Sequence, residues 1–291
     1  MKNWLRLLRV HDYVKNLLVF FPAFFGGKIM YYDNAAKLTL LFLLFCFLCS
    51  GVYIINDLFD YKWDKNHPDK KNKPLTAGAI NRNVAIIVAS LLICIALTGA
   101  WFLGTVVLIQ FSIYLAVNIF YSAFGKHVPF LDLFIIMFGF LIRIQAGSVI
   151  TGVPVSWWLY LIIILFAFGF GLVKRLEEIR LLNLHGIDSN MVRPALKYYE
   201  ENFAKPAVTG IVSTGGLIYI VYTLSPETMN RLGSNYVFVS CTPVLFAIYQ
   251  YLKLLKQGKI SIMPQYVLLN SKPILLSVIA WLAMMVYFIY K

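Results

Sequence analysis

Three aspartates and an asparagine stand at fixed spacing in NDLFDYKWD, residues 56–64. Asn56, Asp57, Asp60 and Asp64 follow the pattern N-D-x-x-D-x-x-x-D. On a helix of 3.6 residues per turn they share an arc of roughly 100°. Clustered carboxylates with an amide oxygen suit a hard divalent cation. Magnesium takes few protein oxygens and is commonly bound together with substrate phosphates. The next stretch, KNHPDKKNKPLTAG, offers Lys65, His67, Lys70, Lys71 and Lys73 before Pro74 and a turn at Gly78. Carboxylates for a metal beside bases for phosphates make a diphosphate site. The plainer alternative is a solvated helix end whose acids pair with those lysines. The spacing, the position at the edge of an apolar run and the adjoining basic loop favour the site.

The elements that must hold these residues are membrane helices. The chain has 291 residues, 60% of them hydrophobic and 13% charged, with a mean hydropathy of +0.74. A soluble domain carries about 25% charged residues. The expected fold is all-α: a polytopic bundle, one domain over 1–291, of about nine transmembrane helices. A span needs about 20 apolar residues, and candidates lie near 16–32, 37–56, 83–103, 105–122, 131–150, 156–173, 207–224, 237–254 and 273–290. Gly26 and Gly27 interrupt the first, and only Gly104 separates the third from the fourth. No short apolar run with a small-residue cleavage site follows the basic N-terminus.

The net charge is +13. In a membrane protein such an excess reports cytoplasmic loops rather than nucleic-acid binding, so no nucleic-acid partner is expected. Only Lys28, Lys37, Arg231 and Lys291 fall on one side of the spans, and Arg143 lies inside the fifth. The other Lys and Arg lie at the N-terminus and on loops of the opposite side. This asymmetry places the N-terminus, and cap loops after spans 2 and 6, in the cytoplasm. The bilayer is then a bacterial-type inner membrane, and the acidic motif faces the cytoplasm. Cys46, Cys49, Cys94 and Cys241 all lie in apolar runs and read as small apolar side chains. Trp157 and Trp158 read as an interfacial pair. Arg143 is a charge at depth, costly and by default functional. Its target is a substrate phosphate, or else a structural partner such as Asp132 or backbone carbonyls.

The acidic motif at the cytoplasmic end of span 2 resembles that of the UbiA superfamily of intramembrane prenyltransferases, over essentially the whole chain. YSAFGK, Tyr121 to Lys126, is similar to that family's Y-S-x-x-x-K. The family's second acidic motif, after span 6, is replaced by GLVKRLEEIRLL, with Lys174, Arg175 and Glu178 on one helical arc. Two bases stand where acids are usual, which suits an extra phosphate and leaves a second metal site without support. This departure resembles the family's phosphoribosyltransferase branch. LLRVHDYVKNLLVFFP, FLIRIQAG, KRLEEI and LLNSKPILLSVIAW match that branch in order.

The resemblance implies phosphoribosyl diphosphate as donor, a polyprenyl phosphate such as decaprenyl phosphate as acceptor, and Mg2+ as cofactor. It implies that Asn56, Asp57, Asp60 and Asp64 hold the metal and diphosphate. Lys15, Asn16, Tyr121, Lys126, Lys174 and Arg175 would contact phosphates or ribose. His67, Lys70 and Lys71 are further phosphate candidates, Glu178 a ribose or lysine partner, and Arg143 a phosphate contact. A homo-oligomer is admitted. Two other readings stay open: transfer of a prenyl group onto a small acceptor, and a non-enzymatic membrane protein such as a transporter.

Overall fold

A computed structural model describes residues 2–65, 70–125, 128, 130–184, 186, 196, 199, 201–257, 267 and 271–291, with the backbone alone at 201–204. His67 and Lys126 therefore lie outside the described residues. Among the described residues every regular element is helical. The elements are α1 (Lys2–Leu7), a 3-10 segment (Val10–Phe20), α2 (Phe21–Phe25), α3 (Tyr32–Asp64), α4 (Arg82–Leu103), α5 (Thr105–Ala123), α6 (Leu131–Thr151) and α7 (Trp157–Leu184). They continue with α8 (Glu201–Leu224), α9 (Pro226–Leu232), α10 (Cys241–Lys256) and α11 (Lys272–Tyr290).

Among the described residues eight helices are long and apolar enough to cross a membrane. They match the second to ninth expected spans, and the break at Gly104 falls where the sequence puts it. The expected first span, 16–32, is instead the 3-10 segment followed by the five-residue α2. Its end is local chemistry. Lys28 N–H donates to the Ala23 carbonyl and Gly27 N–H to the Phe24 carbonyl, with Gly27 at φ 68°. This closing turn needs a left-handed residue, which glycine supplies without strain.

The described residues form two compact units, divided between Val155 and Ser156. In the first, α3 has 33 residues. At 1.5 Å per residue it is about 50 Å long, against about 30 Å of hydrocarbon. The surplus accommodates NDLFDYKWD as the last turns of the same helix. α4 packs against α3, and its buried residues are all alanines: Ala85, Ala89, Ala96 and Ala100. Small side chains let two membrane helices approach closely where no hydrophobic force drives them together. α6 lies against the 3-10 segment in the same way, since a Cβ at Gly147 would fall on the Val19 carbonyl.

In the second unit α7 packs on α8, and α10 packs on both α8 and α11. Tyr219 centres its core: its hydroxyl accepts from Trp281 Nε1 at 2.6 Å and lies 2.8 Å from Ser240 Oγ. Trp158 joins this cluster beside Tyr222, whereas Trp157 is exposed. The two neighbours differ because adjacent helix positions face different ways.

Candidate active site

The acidic motif is helical, and two of its carboxylates are buried. Asp57 and Asp64 are each 3% exposed. Seven residues is close to two helical turns, so both lie on one face. Lys73 bridges them: its Nζ donates to Asp57 Oδ1 at 2.8 Å and to Asp64 Oδ2 at 2.6 Å. Arg9 Nη2 donates to the same Asp57 Oδ1, also at 2.8 Å. Acid–lysine pairing is thus real, but in a buried cluster rather than on a solvated helix end. Such pairing is costly to desolvate and holds only where the geometry is good.

Burial by itself would lower the pKa of Lys73, yet Asp57 and Asp64 outweigh it and hold the ammonium above its ordinary value. Arg9 is raised in the same way, against burial, chiefly by Asp57. Arg9 is also one of two non-glycine residues at positive φ among the described residues, at φ 51° and ψ 47°. Its guanidinium carbon sits 4.6 Å from the centre of the Tyr53 ring. Strained backbone of this kind concentrates at functional sites. Sequence reasoning counted Arg9 only as a loop charge, and it offered Lys73 among the bases for phosphates without placing it between Asp57 and Asp64.

Asn56 turns its amide nitrogen to Asp60 Oδ2, 3.1 Å away, and its oxygen accepts from Ser122 Oγ at 3.1 Å. The YSAFGK stretch therefore meets the acidic motif through Ser122, the neighbour of the expected Tyr121. In this arrangement Asn56 bonds both Asp60 and Ser122. Lys70 is half-buried in the basic loop.

Lys15 and Asn16 part company. Lys15 Nζ pairs with the buried Asp12 at 2.5 Å. Asn16 points into the core, where its Nδ2 donates to Cys46 Sγ at 3.2 Å and its Oδ1 accepts from Arg143 Nε at 2.8 Å. Arg143 also donates to the Gly139 carbonyl, to Cys49 Sγ at 2.9 Å and to Tyr114 Oη at 3.2 Å. Its guanidinium carbon lies 5.4 Å from the Phe45 ring centre and 5.1 Å from that of Tyr114. Every guanidinium nitrogen has a protein partner. In this structure Arg143 and Asn16 satisfy each other inside the bundle. Arg143 has Asn16 and a carbonyl as partners, not Asp132. Cys46 and Cys49 are free thiols buried in the apolar core, and they serve as weak polar partners as well.

Lys174, Arg175 and Glu178 lie on α7, in the second unit. Arg175 is buried and its guanidinium pairs with Glu178 one turn on.

The donor set fits a shared metal better than a caged one. Asp57, Asp60 and Asp64 offer hard oxygens, and a cationic ammonium already sits between two of them. Among the described residues no three His, Cys, Asp or Glu side chains converge to hold a metal by themselves.

The model of the UbiA prenyltransferase family matches residues 19–261. The chain belongs to that family. A decaprenyl-phosphate phosphoribosyltransferase of Mycolicibacterium smegmatis is 29% identical over 288 residues, covering 96% of this chain and 89% of its own. Its namesake from Corynebacterium glutamicum is 25% identical, with 98% and 86% covered. A UbiA homologue from Archaeoglobus fulgidus, solved bound to GPP and Mg2+, superposes with a TM-score of 0.72 over 99% of this chain and all of its own, at 18% identity. At that identity the likeness speaks for the fold. The UbiA membership and the eight apolar helices make this an integral membrane protein.

Proposed function

We propose that this UbiA-family protein transfers the 5-phosphoribosyl group from phosphoribosyl diphosphate to a polyprenyl phosphate. An oxygen of the lipid phosphate attacks C1 of the ribose. The bond from C1 to the diphosphate oxygen breaks, and its electron pair leaves with pyrophosphate. The attacking oxygen is already anionic, so no side chain need remove a proton. What remains for the enzyme is to position two anions and stabilise the departing one.

The observation that carries this reading is the cluster of Asp57, Asp64, Lys73 and Arg9, which sets carboxylates and bases within hydrogen-bonding distance of one another. The full-length likeness to two decaprenyl-phosphate phosphoribosyltransferases supports the choice of donor and acceptor. Asp57, Asp60 and Asp64 would hold Mg2+, which when bound neutralises charge on the leaving diphosphate. Lys73, Arg9 and Lys70 would bind diphosphate oxygens, with Lys15, Tyr121 and Lys126 toward the rest of the donor. Lys174 and Arg175 on α7 are candidates for a further phosphate, and Arg175 is paired with Glu178. The charge asymmetry of the loops supports a site at the cytoplasmic surface.

The test is direct. Purified protein given phosphoribosyl diphosphate, a polyprenyl phosphate and Mg2+ should release pyrophosphate and form a phosphoribosylated lipid. Asp57→Asn should cut that rate by about 100-fold or more, as loss of an electrostatic contact at the reacting groups does. No product at any lipid length would overturn the proposal. So would turnover of a prenyl diphosphate with an aromatic acceptor in its place.

A further inference from the structure

The acidic face is neutralised by the chain's own cations. Asp57 Oδ1 accepts from both Lys73 Nζ and Arg9 Nη2, and Lys73 also holds Asp64. A divalent ion that ligates Asp57 or Asp64 would share those carboxylates with the resident cations. It would then sit beside two positive charges, in a place where water screens poorly. A diphosphate arriving with the metal removes that conflict, because its oxygens are acceptors for both.

The two cations are built to make such a move. The backbone of Lys73 is pinned: its N–H donates to the Lys70 carbonyl at 3.0 Å, and its own carbonyl accepts from Ala77 N–H at 2.8 Å. Its charge, however, rides on a flexible four-carbon stem. Arg9 has a second seat over the Tyr53 ring, which keeps the guanidinium in place when its carboxylate is taken.

We infer that Lys73 and Arg9 are resident counterions that exchange partners, leaving the aspartates for diphosphate oxygens when metal and diphosphate bind together. Metal and diphosphate then bind with strong positive coupling, and neither binds tightly alone. The inference rests on the diphosphate reading above and adds the order of events to it. It also separates the two cations from ordinary structural ion pairs, whose loss would weaken both ligands alike.

Opposite signs make the test. Equilibrium binding of radiolabelled Mn2+ alone, and of radiolabelled pyrophosphate in excess Mn2+, is measured on the detergent-purified full chain. In the unaltered protein pyrophosphate should tighten Mn2+ by ~10-fold or more, within the usual range of coupling between two ligands. In Lys73→Met, Mn2+ alone should bind about tenfold tighter and pyrophosphate about tenfold weaker. Arg9→Met should move both in the same directions and serves if Lys73→Met does not fold. If both affinities fall together, or neither changes, the exchange is wrong while the diphosphate reading stands. If the unaltered protein binds Mn2+ equally well without pyrophosphate, the exchange is also wrong. If it binds no pyrophosphate under any condition, the diphosphate reading fails, and the exchange with it.

Discussion

Replacing Arg143 by methionine separates a buried network from a substrate contact. Arg143 is 5% exposed and donates to Asn16, Gly139, Cys49 and Tyr114. Methionine has similar reach and no donor. Asn16 Oδ1 would keep the weak Cys49 thiol contact at 3.6 Å, and Tyr114 Oη would keep Cys49 at 3.4 Å. Each acceptor left without its charged donor costs about 1–3 kcal/mol. Among the described residues Arg143 has no carboxylate partner, so its removal strands neutral acceptors and no opposite charge, and the expected loss for Arg143→Met is about 1–3 kcal/mol. Adding Asn16→Leu removes the stranded amide, and the double variant should recover about 1–2 kcal/mol relative to the sum of the singles. Denaturant unfolding of the purified protein in detergent reads both values. A variant as stable as the parent, with a raised KM for the lipid phosphate, would refute the network and restore Arg143 as a substrate contact.

At Gly51 a Cβ would come within 2.6 Å of the Ile93 side chain and 3.2 Å of the Ala89 carbonyl. Gly51→Val should destabilise the α3–α4 pair by about 1–3 kcal/mol, as overpacking does, seen as a lower thermal midpoint. Asp12 titrates below the usual carboxylate range: burial pushes its pKa up, but the charge and hydrogen bond of Lys15 outweigh it. A folded pKa below the unfolded value of about 3.9 gives stability that is fully present above that value and is lost as pH falls through the folded pKa. The parent should therefore exceed Asp12→Asn most near neutrality, and the two should converge in acid; a gap that widens in acid would refute it. Ser122→Ala frees the Asn56 oxygen and should raise the KM for the diphosphate substrate more than it lowers kcat; an unchanged KM would count against the Ser122–Asn56 link.

Features written in local order were legible. The 3.6-residue period put the four motif residues on one face of a helix, and α3 carries them there. Runs of apolar residues located eight helices to within a few residues at most ends. The 16–32 stretch misled because its average is apolar, while its ends are decided by single contacts: Asn16 turned into the core and the glycine turn after α2. The partners at the site were hidden for the same reason. Nothing within a few residues of Asp57 says that Arg9, 48 positions earlier, will share its oxygen with Lys73, 16 positions later.

By itself, then, the sequence determined the helical membrane class, the acidic face and the family, because hydropathy and helical period depend on neighbours along the chain. Only the tertiary structure decided who neutralises that face and what Arg143 does. Arg143 meets Asn16 across 127 residues of chain. In an apolar interior a charged group takes whichever donors and acceptors packing brings to it, since leaving it unpaired there costs more than any local preference can offset.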